Sequence, residues 1–357
     1  MRLVVATRLR RVDCSGPGIT RRGRGRGRGF EYLDDDGERI EDEHTVERIR
    51  ELVIPPAWQE VWICPDPRGH IQATGLDARR RKQYLYHQQW REHRDREKFD
   101  EMLDFARALP RLRARVAADL VGTDELKRNR VLACAVRLLD RGFFRVGGEE
   151  YAAENESFGL ATMRKEHVRV DGPIITFDYP AKSGRRLVRS FGDREVCEIM
   201  LRLKRRRGGG EELLAYKRGR RWLDLRSEDI NGYVKQAAGA GYSAKDFRTW
   251  NATVLAATAL AVSGSMVSAS PAARKRVKTR AVKEVSRYLG NTPAVARASY
   301  IDPRVFDRYD AGLTIGGALT VLVEDDDIGA PAVRSSREAA VLDLIAETES
   351  DALERVA

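Results

Sequence analysis

Histidine and cysteine are both scarce in this 357-residue chain, and their scarcity narrows the chemistry it can perform. The 4 cysteines, Cys14, Cys64, Cys134 and Cys197, lie far apart without a Cys-x-x-Cys pair, which argues against a disulfide framework and suits a reducing cytosol. The 5 histidines, His44, His70, His87, His93 and His167, show no metal-ligand spacing. None follows position 167, so chemistry in the C-terminal half must proceed without imidazole. Long apolar runs are missing as well. The longest, residues 252–262, is too short to span a bilayer and is interrupted by threonines, so it reads as a buried helix. The N-terminus offers only LVVA between arginines, and no secretory signal is visible.

Acidic residues are outnumbered. Lys and Arg total 65 against 54 Asp and Glu, a formal net charge of +11, which points to an anionic polymer as partner and less to a membrane surface. The length suggests two domains, each able to bury its own core.

Residues 1–29 mix arginine with glycine, ending in RRGRGRGRG, and read as a disordered tail able to touch phosphates. Residues 30–100 read as a small β-rich domain. It has a short helix over 45–52, strands over 60–64 and 70–74, and then GLDARRRKQYLYHQQW, where basic and aromatic residues interleave. In a strand Tyr84 and Tyr86 share a face with Lys82, and Gln83 faces the other way. An ordinary half-buried strand and a nucleic-acid contact both fit. Residues 101–323 read as a larger, mainly helical domain. A helix over 97–119 is expected to break at Pro110 and another spans 123–141. GFFRVGGEEYAAENESFGLATM follows, with Arg145 just before a Gly-Gly turn. HVRV, IITFDYP and RRLVRSF then form a three-stranded meander with Lys182 in its second turn, where a solvated surface lysine is the ordinary outcome. Helices follow over 195–205 and from Ser227 to near Gly239, with a glycine-rich loop between basic clusters in the interval. Ser243 and Asp246 resemble a capping box, so Arg248 lies in the first turns of an apolar helix and must find an anion or leave the core. Residues 324–357 read as an acidic tail with a helix from Ser336 that packs against the body.

The chain is organised around 277–303, VKTRAVKEVSRYLGNTPAVARASYIDP. Ser270 and Pro271 open one helix and Gly290 closes it, Thr292 and Pro293 open a second, and Asp302 with Pro303 opens a third. Tyr300 thus falls at the end of a short helix. It reads either as a core tyrosine or as a residue placed to meet a phosphate, since Arg274, Lys275, Arg276, Lys278, Arg280, Lys283 and Arg287 crowd the helix before it.

Two arginines, a lysine and a tyrosine in a basic helical domain resemble the type IB DNA topoisomerases of the compact poxvirus and bacterial kind, over nearly the whole chain after Phe30. The resemblance implies an α+β fold, with a small mainly β N-terminal domain and a larger mainly α catalytic domain with a three-stranded meander, as in tyrosine recombinases and type IB topoisomerases. It implies relaxation of supercoiled DNA through a 3′-phosphotyrosyl intermediate, without cofactor, ATP or metal. Tyr300 in LGNTPAVARASY would be the nucleophile, Arg145 and Arg248 (in KDFRTW) the phosphate-binding arginines, and Lys182 the hairpin lysine. Asn291 stands where many relatives have histidine; it can donate a hydrogen bond but carries no charge. DNA contacts would fall to Arg81, Lys82, Gln83, Tyr84 and Tyr86, and to Tyr151, Asn155 and Thr162. The partner would be double-stranded DNA, gripped by a monomeric clamp in the cytoplasm at the nucleoid, with no membrane. A tyrosine recombinase shares the same four residue types, but GLDARRRKQYLYH and ENESFGLATM resemble topoisomerases. A catalytically silent DNA-binding protein would explain the charge equally well.

Overall fold

The computed structural model describes residues 8–25, 29–121, 125–264, 270–320 and 331–355. It divides into two compact units, Met1–Phe99 and Asp100–Ala357.

The first unit is built on a five-stranded antiparallel sheet in the order β2-β1-β3-β4-β5. Its strands are β1 (Ile19–Gly23), β2 (Phe30–Leu33), β3 (Gln59–Ile63), β4 (Ile71–Leu76) and β5 (Lys82–Tyr86). One helix, α1 (Glu43–Glu51), lies between β2 and β3, capped where Asp42 Oδ2 accepts from the Thr45 amide at 2.9 Å. Ile19, Ile49, Val61, Ile63 and Ala73 form the core, packed against Tyr32, Trp58 and Leu85.

Strand β1 overturns the expectation of a disordered tail over 1–29, of which residues 1–7 and 26–28 lie outside the described residues. The Arg-Gly composition hid Ile19, which is buried in the core. It also hid the carbonyl cradle that satisfies Arg21, whose guanidinium donates to the backbone oxygens of Ile54, Pro55 and Trp58 and stacks 4.2 Å from the Phe30 ring centroid.

Helix α2 (Gln88–Leu120) is continuous through Pro110, where a break was expected. Pro110 is exposed, so water can take the carbonyl that the missing N–H leaves free. The second unit continues with α3 (Arg128–Gly142), which starts later than expected, Thr123 lying outside the described residues, and with the short α4 (Glu149–Asn155). The meander is β6 (Val168–Asp171), β7 (Ile174–Ala181) and β8 (Arg185–Gly192), paired in that order. After α5 (Arg194–Arg205) the glycine-rich loop leads into an unforeseen hairpin, β9 (Ala215–Arg218) with β10 (Arg221–Asp224). Its alternation is too short and too basic to stand out. Helices α6 (Ser227–Ala238), α7 (Ala244–Gly264), α8 (Pro271–Leu289), α9 (Pro293–Ser299) and α10 (Pro303–Asp310) follow.

The second core centres on α7. Phe247 and Trp250 are fully buried, with Phe247 edge-on to Phe105 of α2 at 4.9 Å. Each such ring contributes about 1.5–3 kcal/mol by leaving water. The chain ends with β11 (Leu313–Thr314), α11 (Gly316–Thr320), α12 (Pro331–Ala346) and β12 (Glu354–Arg355), the last pairing with β11. The acidic run 324–327 lies outside the described residues, and α12 begins at Pro331 rather than Ser336. Arg113 of α2 forks onto Asp140 of α3, at 3.0 Å to each oxygen, and onto Glu338 of α12, at 2.6 and 2.8 Å. Arg334 joins the same two carboxylates, at 2.8 and 3.0 Å.

Candidate active site

Three helices in succession, one long and two short, place Tyr300. Ser270 Oγ caps α8 at the Ala273 amide, and Gly290 closes it in the left-handed region at φ 63°. Thr292 Oγ1 caps α9 at the Val295 amide, and Asp302 caps α10 at the Arg304 amide. Tyr300 is the C-cap of α9, so its backbone sits where two helices change direction. Thr253, fully buried on α7, holds that corner: its hydroxyl donates to the Tyr300 carbonyl at 3.3 Å and accepts from the Asp302 amide at 3.1 Å.

Arg145 stands on a loop that two glycines press against its own returning segment. The Leu160 amide donates to the Arg145 carbonyl at 2.9 Å and the Ala161 amide to that of Val146 at 2.7 Å. A Cβ on Gly159 would fall 2.4 Å from Gly147 Cα, so no side chain fits there. From this loop Arg145 Nη2 donates to Asn291 Oδ1, joining residues 146 positions apart.

Arg248 is buried at 4% exposure. Its Nη1 donates to the Phe143 carbonyl at 2.5 Å and its Nη2 to that of Leu289 at 2.9 Å. Its Nε is buried without a hydrogen-bond partner among the described residues. The guanidinium carbon lies 5.2 Å from the Tyr300 ring centroid. Burial first, then Arg145, push Arg248 down to about 10, which leaves it charged at neutral pH. For Tyr300, burial acts to raise the pKa, but Arg248, Asn291 and Arg145 together outweigh it, and the hydroxyl ends below its ordinary value of 10.0.

Four sequence candidates thus meet: Arg145, Arg248, Asn291 and Tyr300. No hydrogen bond among the described residues joins Lys182 to them; it lies in the turn Lys182–Gly184, exposed, with its ammonium 5.6 Å from the Tyr151 ring centroid. Residues unremarked in the sequence join the cluster. One face of β8 turns to the end of α8: Arg185 donates to the Asn291 carbonyl at 3.3 Å, Leu187 packs on Gly290, and Arg189 donates to the carbonyls of Arg287 and Tyr288. Arg185, Leu187 and Arg189 alternate in RRLVRSF, which was the available signal. Tyr179 lies buried alongside, and its burial pushes that phenol's pKa up against the pull of Arg189, Arg248 and Arg145.

In the first unit Lys82, Tyr84 and Tyr86 share one face of β5. The two rings stack 6.0 Å apart at 15°, with the Lys82 ammonium 5.8 Å from Tyr84. Gln83 faces away, its amide donating to Asp77 Oδ2 at 3.0 Å. Arg81 is paired with the same carboxylate at 2.7 Å, and its hydrogen bonds draw Asp77 down to about 2. Of the other expected DNA contacts, Tyr151 is exposed and Asn155 donates to the Tyr151 carbonyl at 3.1 Å. Thr162 is not available: it is buried and its hydroxyl accepts from the Gly159 amide at 3.0 Å, so it braces the Arg145 loop. Among the described residues no group of three or more His, Cys, Asp or Glu could hold a metal ion, and no helix is long and apolar enough to cross a membrane.

Comparison with known proteins finds two families. Residues 87–314 match the eukaryotic DNA topoisomerase I catalytic core, and residues 29–77 match the bacterial DNA topoisomerase IB N-terminal domain. The DNA topoisomerase 1B of Acanthamoeba polyphaga mimivirus is 31% identical over 289 residues, 78% of this chain and 83% of that protein. The DNA topoisomerase 1 of Candidozyma auris is 28% identical over 213 residues, 54% of this chain and 27% of that protein.

Proposed function

The chain belongs to the type IB DNA topoisomerases, and from that premise we propose that it relaxes supercoiled duplex DNA through a covalent 3′-phosphotyrosyl intermediate on Tyr300, without ATP or metal. The observation that carries this reading is the meeting of Tyr300 with Arg145, Arg248 and Asn291, which draws the phenol's pKa below its ordinary value.

The Tyr300 hydroxyl releases its proton to solvent, its oxygen attacks the scissile phosphorus, a P–O bond to Tyr300 forms, and the P–O5′ bond breaks. Arg145 and Arg248 hold the nonbridging oxygens as negative charge builds on them, and the unpartnered Nε of Arg248 is a donor awaiting such an acceptor. Asn291 contributes a neutral donor. In the free protein the same amide accepts from Arg145, so it also orients that arginine toward the phosphate position. Lys182 on its turn supplies the proton to the departing 5′ oxygen. Because the phosphotyrosine retains the energy of the phosphodiester, attack by the 5′ hydroxyl reseals the strand with no other energy source. Between the two steps the duplex rotates about the intact strand and loses supercoils.

The protein acts as a monomer, its two units gripping the duplex from opposite sides, with Lys82, Tyr84 and Tyr86 as the contact face of the first. Denaturing wild-type protein in the act of cleavage, then sequencing the DNA-bearing peptide, tests the central assignment. The expected peptide contains Tyr300 joined to a 3′ phosphate; a 5′ linkage, or attachment at another residue, overturns it.

A further inference from the structure

Beside the Tyr300 cluster lies a cleft of about 490 Å³ that the chemistry does not use. Arg189 of β8 forms one wall, and Arg280, Lys283, Glu284, Arg287 and Tyr288 of α8 form the other. The α8 residues fall at positions i, i+3, i+4, i+7 and i+8, a single helix face. Four cations therefore surround one carboxylate.

Two other cations of α8 are already engaged. Arg274 donates to the Asp310 carbonyl at 2.8 Å, and Lys278 pairs with the Asp310 carboxylate at 2.5 Å. Among the described residues no carboxylate lies within ion-pair distance of Arg280, Lys283 or Arg287. Charges of one sign gathered on concave walls focus their field, and their mutual repulsion is relieved when an anion fills the space. Arg189 fixes the two walls together through the Arg287 carbonyl at 3.2 Å and the Tyr288 carbonyl, and its guanidinium lies 5.8 Å from the Tyr288 ring. Tyr288, 42% exposed, also lines the cleft.

The length of the cationic row identifies the anion. From 280 to 287 the helix rises about 10 Å, and over that distance one strand of B-DNA carries about three phosphates at roughly 3.4 Å of axial rise each. The row ends next to the site, since Leu289, two residues past Arg287, accepts from Arg248, and Asn291 lies two further on. We infer that this cleft holds two or three successive backbone phosphates flanking the scissile one, so that α8 sets the register of the strand on Tyr300. The inference rests on the proposed role of the Tyr300 cluster for the identity of the neighbouring phosphate, but not for the binding itself.

The test uses the full chain carrying Tyr300→Phe, which silences chemistry, and measures duplex affinity across a salt series. Adding Arg280→Gln and Lys283→Gln flattens the slope of log affinity against log salt by about 1.8, roughly 0.9 for each phosphate left without its cation. A control carrying Arg218→Gln and Arg221→Gln on the β9–β10 hairpin changes net charge equally and leaves the slope within about 0.5 of the parent. An unchanged slope in the first variant, or an equal loss in the control, overturns the inference. So does a cleft that binds inorganic tripolyphosphate, in a manner sensitive to Arg280 and Lys283, while duplex binding is indifferent to both. Should wild-type protein form no covalent adduct while the slope still falls as stated, the proposed chemistry fails and the phosphate cleft stands.

Discussion

At Tyr300 a phenol sits between opposed influences, burial pushing its pKa up and neighbouring donors and cations drawing it further down. The sign of the net shift fixes a pH dependence. The phenolate fraction rises with pH through the lowered pKa, so the single-turnover cleavage rate climbs with pH, with its inflection below the ordinary phenol value of 10.0. Asn291→Ala removes one of the lowering influences: the inflection moves to higher pH, and cleavage near neutrality slows about tenfold, equivalent to one hydrogen bond of ~1.4 kcal/mol. An inflection that stays put, or a thousandfold loss, contradicts the role given to Asn291. Lys182 is tested by substituting sulfur for the 5′ bridging oxygen, because a thiolate leaves without a proton. Lys182→Ala is severely slowed on normal DNA and close to wild type on the sulfur-bridged substrate, whereas Arg248→Ala stays slow on both. Failure of sulfur to rescue Lys182→Ala moves the proton donor elsewhere.

Elements explain why some of this was legible in the sequence. The caps around Tyr300 are local chemistry: Ser270, Gly290, Thr292 and Asp302 each bond within a few residues, so the succession of helices could be read directly. What brings Arg145 to Asn291, or turns Arg185 and Arg189 of β8 onto the end of α8, is tertiary packing over distances that no periodicity encodes. Composition misled at β1, where the average over an Arg-Gly tract concealed one buried isoleucine. At Pro110 a correct local rule yielded to a solvent-facing position in a long helix. The Arg145 loop offers a test at this scale. Gly159→Ala forces a Cβ against the Gly147 backbone, displaces Arg145, and lowers cleavage at saturating DNA at least tenfold, with duplex affinity within about threefold of wild type. Wild-type cleavage by that variant would mean the loop does not position the arginine.

The whole catalytic unit is tied together by the Arg113, Asp140, Arg334 and Glu338 network, which fastens α12 to α2 and α3. Burial acts to raise the pKa of Asp140, but Arg334 and Arg113 outweigh it and hold it below the ordinary carboxylate value. A group depressed in the folded state contributes stability that is present above its unfolded pKa and lost as pH falls through the folded one, so Asp140's contribution survives until the pH falls below the ordinary carboxylate value. Arg113→Met leaves Asp140 and Glu338 short of a partner and costs about 3–5 kcal/mol of unfolding free energy at neutral pH. Denaturant unfolding measures that loss, and a loss under about 1 kcal/mol would show the network to be dispensable. In the first unit, Lys82→Gln combined with Tyr84→Ala and Tyr86→Ala in the full chain weakens duplex binding and flattens the salt slope by about 0.9. Unaltered affinity and slope would remove that face from the interface.

The central claim is transesterification by Tyr300 with no external energy source, and plasmid relaxation in EDTA tests it most directly. With ATP omitted, wild-type protein is expected to convert both positively and negatively supercoiled plasmid to relaxed topoisomers, and Tyr300→Phe to bind the same plasmid without relaxing it. A strict requirement for magnesium or ATP, or relaxation by Tyr300→Phe, would contradict the account.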